Sequence, residues 1–321
     1  MRDSLYIIGN GFDLHHKLDT SYWHFEKYLK ENDSELHYLL ESNIFYPQKN
    51  EDLWSDFEEN LGYFDINELL SENEELLPNY SDENFRDGDI HNFPDQMEYY
   101  CKKLTEDLFE NFANFIRNVA YPENAVDQKI LIDKNSYFLN FNFTNTLERL
   151  YEIDQRQIKY IHNSAIYKDE QIILGHSKIP KRIEDTYPTP PDNIDPMDYD
   201  KWYEQNIPWE YSFDTGKENI YHFYEKTFKP TQRIIEENRL FFSKLQNIKK
   251  VFIYGHSLSI VDLPYFQEVF ENVDKDAKWQ VSFYSDEEKD QQIEILNKIG
   301  VRTENIEQIE LEEIKIKKKS I

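Results

Sequence analysis

Short apolar segments separated by helical patterns limit the folds that are open to this chain. Six segments have the apolar, β-branched and aromatic character of buried strands. They are residues 5–8, 137–141, 158–161, 171–174, 251–254 and 279–284. Continuous apolar strands are typical of a parallel sheet that is covered by helices on both faces. The sequence therefore predicts a single α/β domain over residues 1–321, built on a mainly parallel sheet.

Two regions interrupt this alternation. Residues 21–130 repeatedly place aromatic or aliphatic side chains three or four positions apart, as in MEYYCKKLTEDLFENFANFIRNV. That spacing predicts a helical insertion between the first two strands. Residues 178–216 contain six prolines among many aspartates, which predicts a long loop. A loop of this length is typically either a functional lid or a disordered segment.

The charge of the chain excludes several functions. There are 63 acidic and 36 basic residues, giving a formal net charge of −27, which disfavours binding to nucleic acid.

The single cysteine, Cys101, excludes an intramolecular disulfide and a cysteine-based zinc cluster. No apolar run is long enough to cross a membrane, and the N-terminus lacks the regions of a signal peptide. We therefore expect a cytoplasmic protein with no membrane partner.

Glycines are placed at the ends of the predicted strands. Four of the eight glycines lie there: Gly9, Gly11, Gly175 and Gly255. Ligands of open α/β sheets bind at this edge, where glycine permits tight turns and a close approach of the backbone to phosphate. The pattern favours a nucleotide-sized site. A purely structural turn is the alternative, since Leu14 stands where the dinucleotide fingerprint has its third glycine.

Polar residues follow the same strands. Asn142 comes after the second strand, and the histidines His162, His176 and His256 each come after a strand. Asp13, two residues after Gly11, is either part of the site or an N-cap of the next turn.

Several motifs resemble those of one known family. The stretch IIGNGFDLHHKLDTSYWHF resembles the opening of the AbiH family of bacterial phage abortive-infection proteins. NFNFTNTLERLY, YIHN and IYGHSLSIVDLPYF resemble its later motifs in order and spacing, so that the resemblance spans residues 5 to about 270. The AbiH family is in turn similar to sirtuin-like NAD-binding domains. This resemblance implies a Rossmann-like fold and a role in phage defence.

The resemblance also implies roles for individual residues. It implies that Gly9, Asn10 and Gly11 hold phosphate, that Asn142 lies at the nicotinamide ribose and that His162 is the base. The wider set of implied cofactor-binding residues is Phe12, Asp13, Gly175, His176, Gly255, Ser257 and Asp262. The chain departs from the sirtuin-like pattern in three places. Asp13 replaces a serine, Thr144 an acidic residue and Asn163 a glycine.

These residue types suit hydrolysis of an N-glycosidic bond. Its transition state resembles an oxocarbenium ion, and the departing nicotinamide is neutral, so a base and a positioned water are the main requirements. A histidine with an ordinary pKa near ~6.5 fits the base, and an asparagine can orient ribose or water. The leading hypothesis is an effector that hydrolyses NAD without a metal. A nucleotide-binding sensor or scaffold is the alternative, and a nuclease is disfavoured by the charge. Candidate partners are the nucleotide, a phage-derived trigger and a second copy of the chain.

Overall fold

The computed structural model describes residues 2–43, 53–167, 171–180, 188–191, 194–206 and 210–316. The chain divides into two compact units. The first comprises residues 1–28, 111–177 and 229–321, and the second comprises residues 29–110 and 178–228. This division does not test the prediction of one domain with a helical insertion at 21–130, which stays a prediction.

The first unit contains a six-stranded sheet. Its strands are β1 (Ser4–Ile8), β2 (Tyr137–Asn140), β3 (Ile158–Tyr160), β4 (Lys250–Tyr254), β5 (Lys278–Ser282) and β6 (Ile306–Ile309). They lie in the order β3-β2-β1-β4-β5-β6, and every neighbouring pair is parallel. The predicted α/β fold with a mainly parallel sheet is confirmed. The order changes direction between β1 and β4, so the sheet has a topological switch point there.

Alternate residues of the central strands enter two separate cores, because successive side chains in a strand point to opposite faces. Leu5 and Ile7 of β1 join one core, whereas Tyr6 and Ile8 join a second core on the other face. The ring of Tyr6 stacks on Phe252 with 4.6 Å between centroids. Both faces of the sheet centre are therefore buried, as the continuous apolar strands predicted.

Both units contain helices, which are numbered in chain order. In the described residues they are α1 (Asn10–His15), α2 (Tyr22–Asn32), α3 (Ser34–Ser42), α4 (Phe57–Asn60), α5 (Ile66–Glu72), α6 (Asn92–Lys102), α7 (Leu108–Arg117), α8 (Thr146–Tyr151), α9 (Tyr199–Asn206), α10 (Tyr211–Lys226), α11 (Thr231–Glu237), α12 (Arg239–Phe242), α13 (Leu263–Asn272) and α14 (Asp286–Lys298). Among the described residues, none of them is both long and apolar enough to cross a membrane.

One predicted strand is wrong and one strand was missed. Residues 171–174 do not join the sheet. The chain turns at Asn163, whose φ is 61°, and residue 173 donates a backbone hydrogen bond to the carbonyl oxygen of His162 instead. The sixth strand is β6, which pairs with β5. Its sequence IEQI carries only two apolar residues, so it lacks the continuous apolar run of a buried strand.

The second unit is helical. Its helices α6 and α10 pack closely at Gly216, where a β-carbon would lie 2.5 Å from the ring of Phe93. The ring of Phe64 also packs on Phe223, with 4.7 Å between centroids. Part of the predicted loop at 178–216 is helical as well, namely α9 and the start of α10. A short 3₁₀ turn at Pro196–Asp198 leads into α9, and proline is tolerated in such a first turn. Residues 181–187, 192–193 and 207–209 lie outside the described part.

Candidate functional site

The glycine turn, residues 9–12, packs directly on the end of β4. The backbone N–H of Gly9 donates to the carbonyl oxygen of Tyr254, and that of Gly11 donates to the carbonyl oxygen of Gly255 at 2.7 Å. The N–H of Phe12 donates back to the carbonyl oxygen of Gly9. Gly9 and Gly255 thus lie at the same carboxyl edge, as predicted. A phosphate at this turn would compete with these bonds for the same N–H groups.

Close backbone packing explains why glycine is required here. A β-carbon on Gly11 would lie 2.8 Å from the α-carbon of Gly255, and one on Gly9 would lie 2.6 Å from the oxygen of Gly255. Gly255 itself has a φ of +67°, in the left-handed region that favours glycine. The structural need for glycine therefore stands without any ligand. A substitution such as Gly11→Val disrupts this packing and is no test of phosphate binding.

The segment after β2 connects two buried polar clusters. Phe141 and Phe143 contact the ring of His162, with centroids 5.3 and 6.3 Å away. The hydroxyl of Thr144 donates instead to Asp13 Oδ2 at 2.6 Å. The segment therefore contacts residues of both clusters.

We call the first of these the Asp13 cluster; it consists of Asp13, Asn142, Thr144 and Thr146. Asp13 is completely buried within α1 and does not cap a helix, so the predicted N-cap role is wrong. Burial raises the pKa of Asp13 to about 6, although the hydrogen bond from Thr144 and, more weakly, the nearby Thr146 and Asn142 lower it. Its Oδ1 atom and both amide atoms of Asn142 are buried without a hydrogen-bond partner. The cluster thus holds a carboxylate with no compensating cation.

The second is the Asp262 cluster, which consists of Asp262, Lys229, His162 and His256. Lys229 Nζ, fully buried, lies 3.3 Å from Asp262 Oδ1. The Nε2 atoms of His162 and His256 each lie 3.5 Å from an oxygen of the same carboxylate. Burial alone would raise the pKa of Asp262, but Lys229 and then the two histidines hold it far below its ordinary value. Asp262 is therefore ionised at every physiological pH.

His162 is held as a neutral imidazole. Burial and, to a smaller extent, Lys229 lower the pKa of His162 to about 3, while Asp262 acts in the opposite direction. Its Nε2 atom has no hydrogen bond, because the 3.5 Å separation from Asp262 is longer and less well directed than one. An imidazole with this pKa is a weaker base than the ordinary value assumed from the sequence.

Left-handed backbone conformations occur at the ends of two strands. Asn163 after β3 has a φ of 61°, and Leu258 after β4 has a φ of 57°. The second is unfavourable for a bulky residue, and the N–H of Leu258 donates to His256 Nδ1 at 2.9 Å. Strained backbone of this kind is concentrated at functional sites in proteins.

The structure brings together some of the predicted site residues and separates others. Asp13 joins Asn142 in the Asp13 cluster, and His162 joins Asp262. No hydrogen bond joins Asn142 to His162 in the described part of the chain, although their strands β2 and β3 are neighbours. Asn10 is exposed and donates through its side chain to the carbonyl oxygen of Thr20.

Three more predicted residues lie apart from the cluster side chains. Gly175 follows no strand of the sheet, since residues 171–174 are not part of it. The carbonyl oxygen of His176 accepts a hydrogen bond from the backbone N–H of Lys229, which is a member of the Asp262 cluster. Ser257 is exposed. Their predicted cofactor contacts stay predictions.

Sequence reasoning missed Lys229. It follows no strand and precedes Pro230, the residue at the start of α11. The surrounding stretch YEKTFKP carries a second lysine and a glutamate, so nothing in it predicts that Lys229 is buried. Its position supplies the cation that the buried Asp262 needs.

Chemically, the two clusters differ in what they offer. The Asp13 cluster presents a carboxylate oxygen and an amide, which suit hydroxyl or amide groups of a ligand. The Asp262 cluster presents a neutral imidazole backed by a carboxylate, an arrangement that orients a base and stabilises its protonated form. Together they could hold a sugar and activate a water.

Comparison with known proteins supports one assignment. The family model for bacteriophage abortive infection AbiH matches residues 5–283, which include β1 to β5 and both clusters. Neither the curated proteins nor the solved structures gave a match. The chain belongs to the AbiH family of bacteriophage abortive-infection proteins.

Proposed function

We propose that this protein binds NAD or a related nucleotide at the carboxyl edge of its sheet and hydrolyses the nicotinamide–ribose bond. Membership of the AbiH family indicates a role in phage abortive infection. The ligand and the reaction are our proposal. The strand order β3-β2-β1-β4-β5-β6 supports it, because Rossmann-like sheets with this order bind dinucleotides outside the carboxyl ends of the strands at the switch point. A sirtuin-like arrangement of the nucleotide is part of the same proposal.

The observation that carries the proposal is a set of buried polar atoms without partners. It comprises Asp13 Oδ1, both amide atoms of Asn142 and His162 Nε2. Nearly all buried polar atoms in proteins are hydrogen-bonded, so an unpaired group at a ligand-binding edge needs an explanation. Ribose hydroxyls carry both donors and acceptors, which would satisfy a carboxylate, an amide and an imidazole together.

In the proposed reaction the bond between ribose C1′ and the nicotinamide nitrogen breaks, and its electron pair leaves with neutral nicotinamide. Water attacks C1′ and gives up a proton, so that ADP-ribose and one proton are the remaining products. Asn142 orients the ribose or the water. His162 accepts the proton, and Asp262 at 3.5 Å orients its ring and stabilises the imidazolium that forms.

Asp13 is a rival for the role of base. Its pKa of about 6 lies much closer to neutrality than that of His162 at about 3. General bases act best when their pKa is near the working pH. The two candidates differ in their expected pH profile, since activity that depends on Asp13 rises with an apparent pKa near its own.

Nicotinamide release from NAD tests the proposal. We expect His162→Ala to lose on the order of 10²- to 10⁴-fold in turnover and to retain nucleotide binding, because only the proton acceptor is removed. Asn142→Ala should also lose turnover. The exposed His222 supplies the matched control, and His222→Ala should behave as the parent. His176→Ala, measured beside these variants, tests the competing histidine candidate from the sequence.

If His162→Ala keeps parental turnover and Asp13→Asn loses it, Asp13 is the base. If both keep it, the proposed mechanism fails.

A nucleotide-binding sensor or scaffold is the second candidate. The low pKa of His162 favours binding without turnover, because it makes this imidazole a weak base. This alternative predicts that NAD raises the melting temperature while no nicotinamide appears, even when phage components are added.

A further inference from the structure

One pocket of the first unit is lined in part by Thr144 of the Asp13 cluster. Its volume is about 420 Å³, which is in the range of small-molecule sites. Three apolar side chains, those of Ile116, Val119 and Ile166, form part of its wall. The lining also includes Arg117 and Arg149 but no acidic residue. In a chain with 63 acidic residues, two arginines without a lining carboxylate are unexpected.

Arg149, on α8, is held by an aromatic ring. Its guanidinium lies over the ring of Tyr121, 4.1 Å from the centroid. Among the described residues its guanidinium has neither a hydrogen bond nor an ion pair. Stacking uses the face of the guanidinium and leaves its N–H groups along the edge for a planar or tetrahedral anion. Arg149 is therefore oriented without being neutralised.

Arg117, the last residue of α7, is fixed by neutral partners. Its Nε donates to the carbonyl oxygen of Ala165 at 2.6 Å, and Nη1 donates to Asn114 Oδ1 at 3.1 Å. Neither partner carries a charge, so the positive charge of Arg117 is not compensated. Its Nη2 group is the donor that these bonds leave over.

The remaining polar groups also favour an anion. Tyr121 donates its hydroxyl to Asn145 Oδ1 at 3.3 Å, which leaves the amide N–H groups of Asn145 as donors. Burial raises the pKa of Tyr121 to about 12, so its hydroxyl stays protonated. The hydroxyl of Thr144, which also lines the pocket, donates to Asp13. The pocket thus presents mostly donors and two positive charges.

We propose that this pocket binds the phosphate group of a mononucleotide-sized phosphate ester, with Arg149 and Arg117 on the phosphate and the apolar wall against the rest of the ligand. Guanidinium groups bind phosphate oxygens through paired, charge-assisted hydrogen bonds. The pocket volume and the apolar wall fit an ester with an organic group, and the donors alone would also hold free phosphate. The site does not depend on hydrolysis of NAD.

Calorimetric titration of the full-length protein tests this site. The probes are adenosine 5′-monophosphate, inorganic phosphate and, as the uncharged comparison, adenosine. The central variant is Arg149→Gln. Its matched control is Arg233→Gln, since Arg233 is also an exposed helical arginine of the first unit. Arg149→Lys keeps the charge but not the planar fork, and circular dichroism verifies the fold of each variant.

We expect Arg149→Gln to weaken the monophosphate by about tenfold or more, through loss of charge-assisted bonds, and Arg149→Lys to weaken it less. Arg233→Gln and Asn142→Ala should bind as the parent does, and adenosine should bind at least tenfold more weakly than its monophosphate. Inorganic phosphate that competes with the monophosphate identifies the phosphate as the recognised group.

The proposal is overturned if no phosphate probe binds, or if Arg149→Gln binds the monophosphate as tightly as the parent. It is also overturned if Asn142→Ala abolishes that binding while Arg149→Gln leaves it intact, because the ligand would then lie in the candidate site. Failure of the NAD proposal looks different, since it leaves phosphate binding at Arg149 unchanged.

Discussion

Two buried aspartates of the same unit show opposite solutions to the same problem. Asp262 has a buried lysine at 3.3 Å and two histidines at 3.5 Å, and its pKa lies far below the ordinary value. Asp13 has only the uncharged Thr144, Thr146 and Asn142 as cluster neighbours, one unpaired oxygen and a pKa raised to about 6. A buried charge without a counter-charge destabilises the folded state. The comparison therefore indicates that Asp13 is the carboxylate whose missing hydrogen-bond partner a ligand would supply.

The charge of Asp262 is compensated without a ligand, whereas that of Asp13 is not. Perturbed ionisable groups in a cleft at a sheet edge are candidates for function, since burial of this kind is otherwise unfavourable. On this account Asp262 and Lys229 fix the geometry around His162. Asp13 and Asn142 face the bound molecule.

The largest expected effect comes from breaking the compensated pair. Lys229→Met leaves Asp262 buried with no lysine beside it, and removal of one partner of a buried pair typically destabilises by about 3–5 kcal/mol. Urea unfolding followed by circular dichroism measures the change. The double variant Lys229→Met with Asp262→Leu should recover much of the loss, because no uncompensated charge remains. A single variant as stable as the parent would contradict the electrostatic role of the pair.

Asp13→Asn should raise the free energy of unfolding at pH 7, whereas Lys229→Met lowers it. The pKa of Asp13 is about 6 in the folded protein and 3.8 in the unfolded chain, so its favourable contribution is present below pH 3.8 and is lost as the pH rises through about 6. At pH 7 the ionised side chain therefore destabilises the fold by an amount on the order of 3 kcal/mol. We expect Asp13→Asn to be more stable than the parent at pH 7 and to lose that advantage near pH 4.

The exposed Asp290 gives the control for this measurement, and Asp290→Asn should leave stability unchanged. A destabilised Asp13→Asn at pH 7 would mean that the ionised carboxylate is already compensated in the fold.

Acid should weaken the fold through buried histidines. Burial lowers the pKa of His16 to about 4 and that of His162 to about 3, so both stabilise fully above 6.5 and lose that contribution as the pH falls. Between pH 7 and pH 5 each contributes a loss of about 2 kcal/mol. His16→Gln should flatten this part of the stability profile, whereas the exposed His222→Gln should not. An unchanged slope in His16→Gln would contradict its buried, neutral state.

The smallest effect concerns Thr144. Its hydroxyl gives Asp13 a hydrogen bond of 2.6 Å, so Thr144→Val removes the main group that lowers the pKa of Asp13. We expect a loss of about 1–3 kcal/mol and a further rise in the pKa of Asp13. Thr144→Ser keeps the hydroxyl and should retain the parental pKa. An equal effect of both substitutions would indicate lost packing rather than a lost hydrogen bond.

The strands that are continuously apolar were predicted correctly from the sequence. The prediction was wrong for the apolar residues 171–174, which do not join the sheet, and β6, with only two apolar residues, was missed. Strands β1 to β5 were predicted because buried strands of parallel sheets are apolar on both faces. Residues 171–174 are as apolar, but the turn at Asn163 directs them away from the sheet. Asn142, His162 and Asp262 were predicted because ligands bind at strand ends. The burial of Asp13 and the position of Lys229 follow from tertiary packing, which no local pattern encodes.

Titration of the Asp13 carboxyl group tests the comparison most directly. With ¹³C-labelled aspartate and Asp13→Asn for assignment, the carboxyl resonance reports the pKa with and without NAD. The account predicts a pKa of about 6 in the free protein and a clear shift when NAD is added, because the ligand completes the Asp13 cluster. A pKa near the ordinary value of 3.8, with no response to NAD, would contradict it.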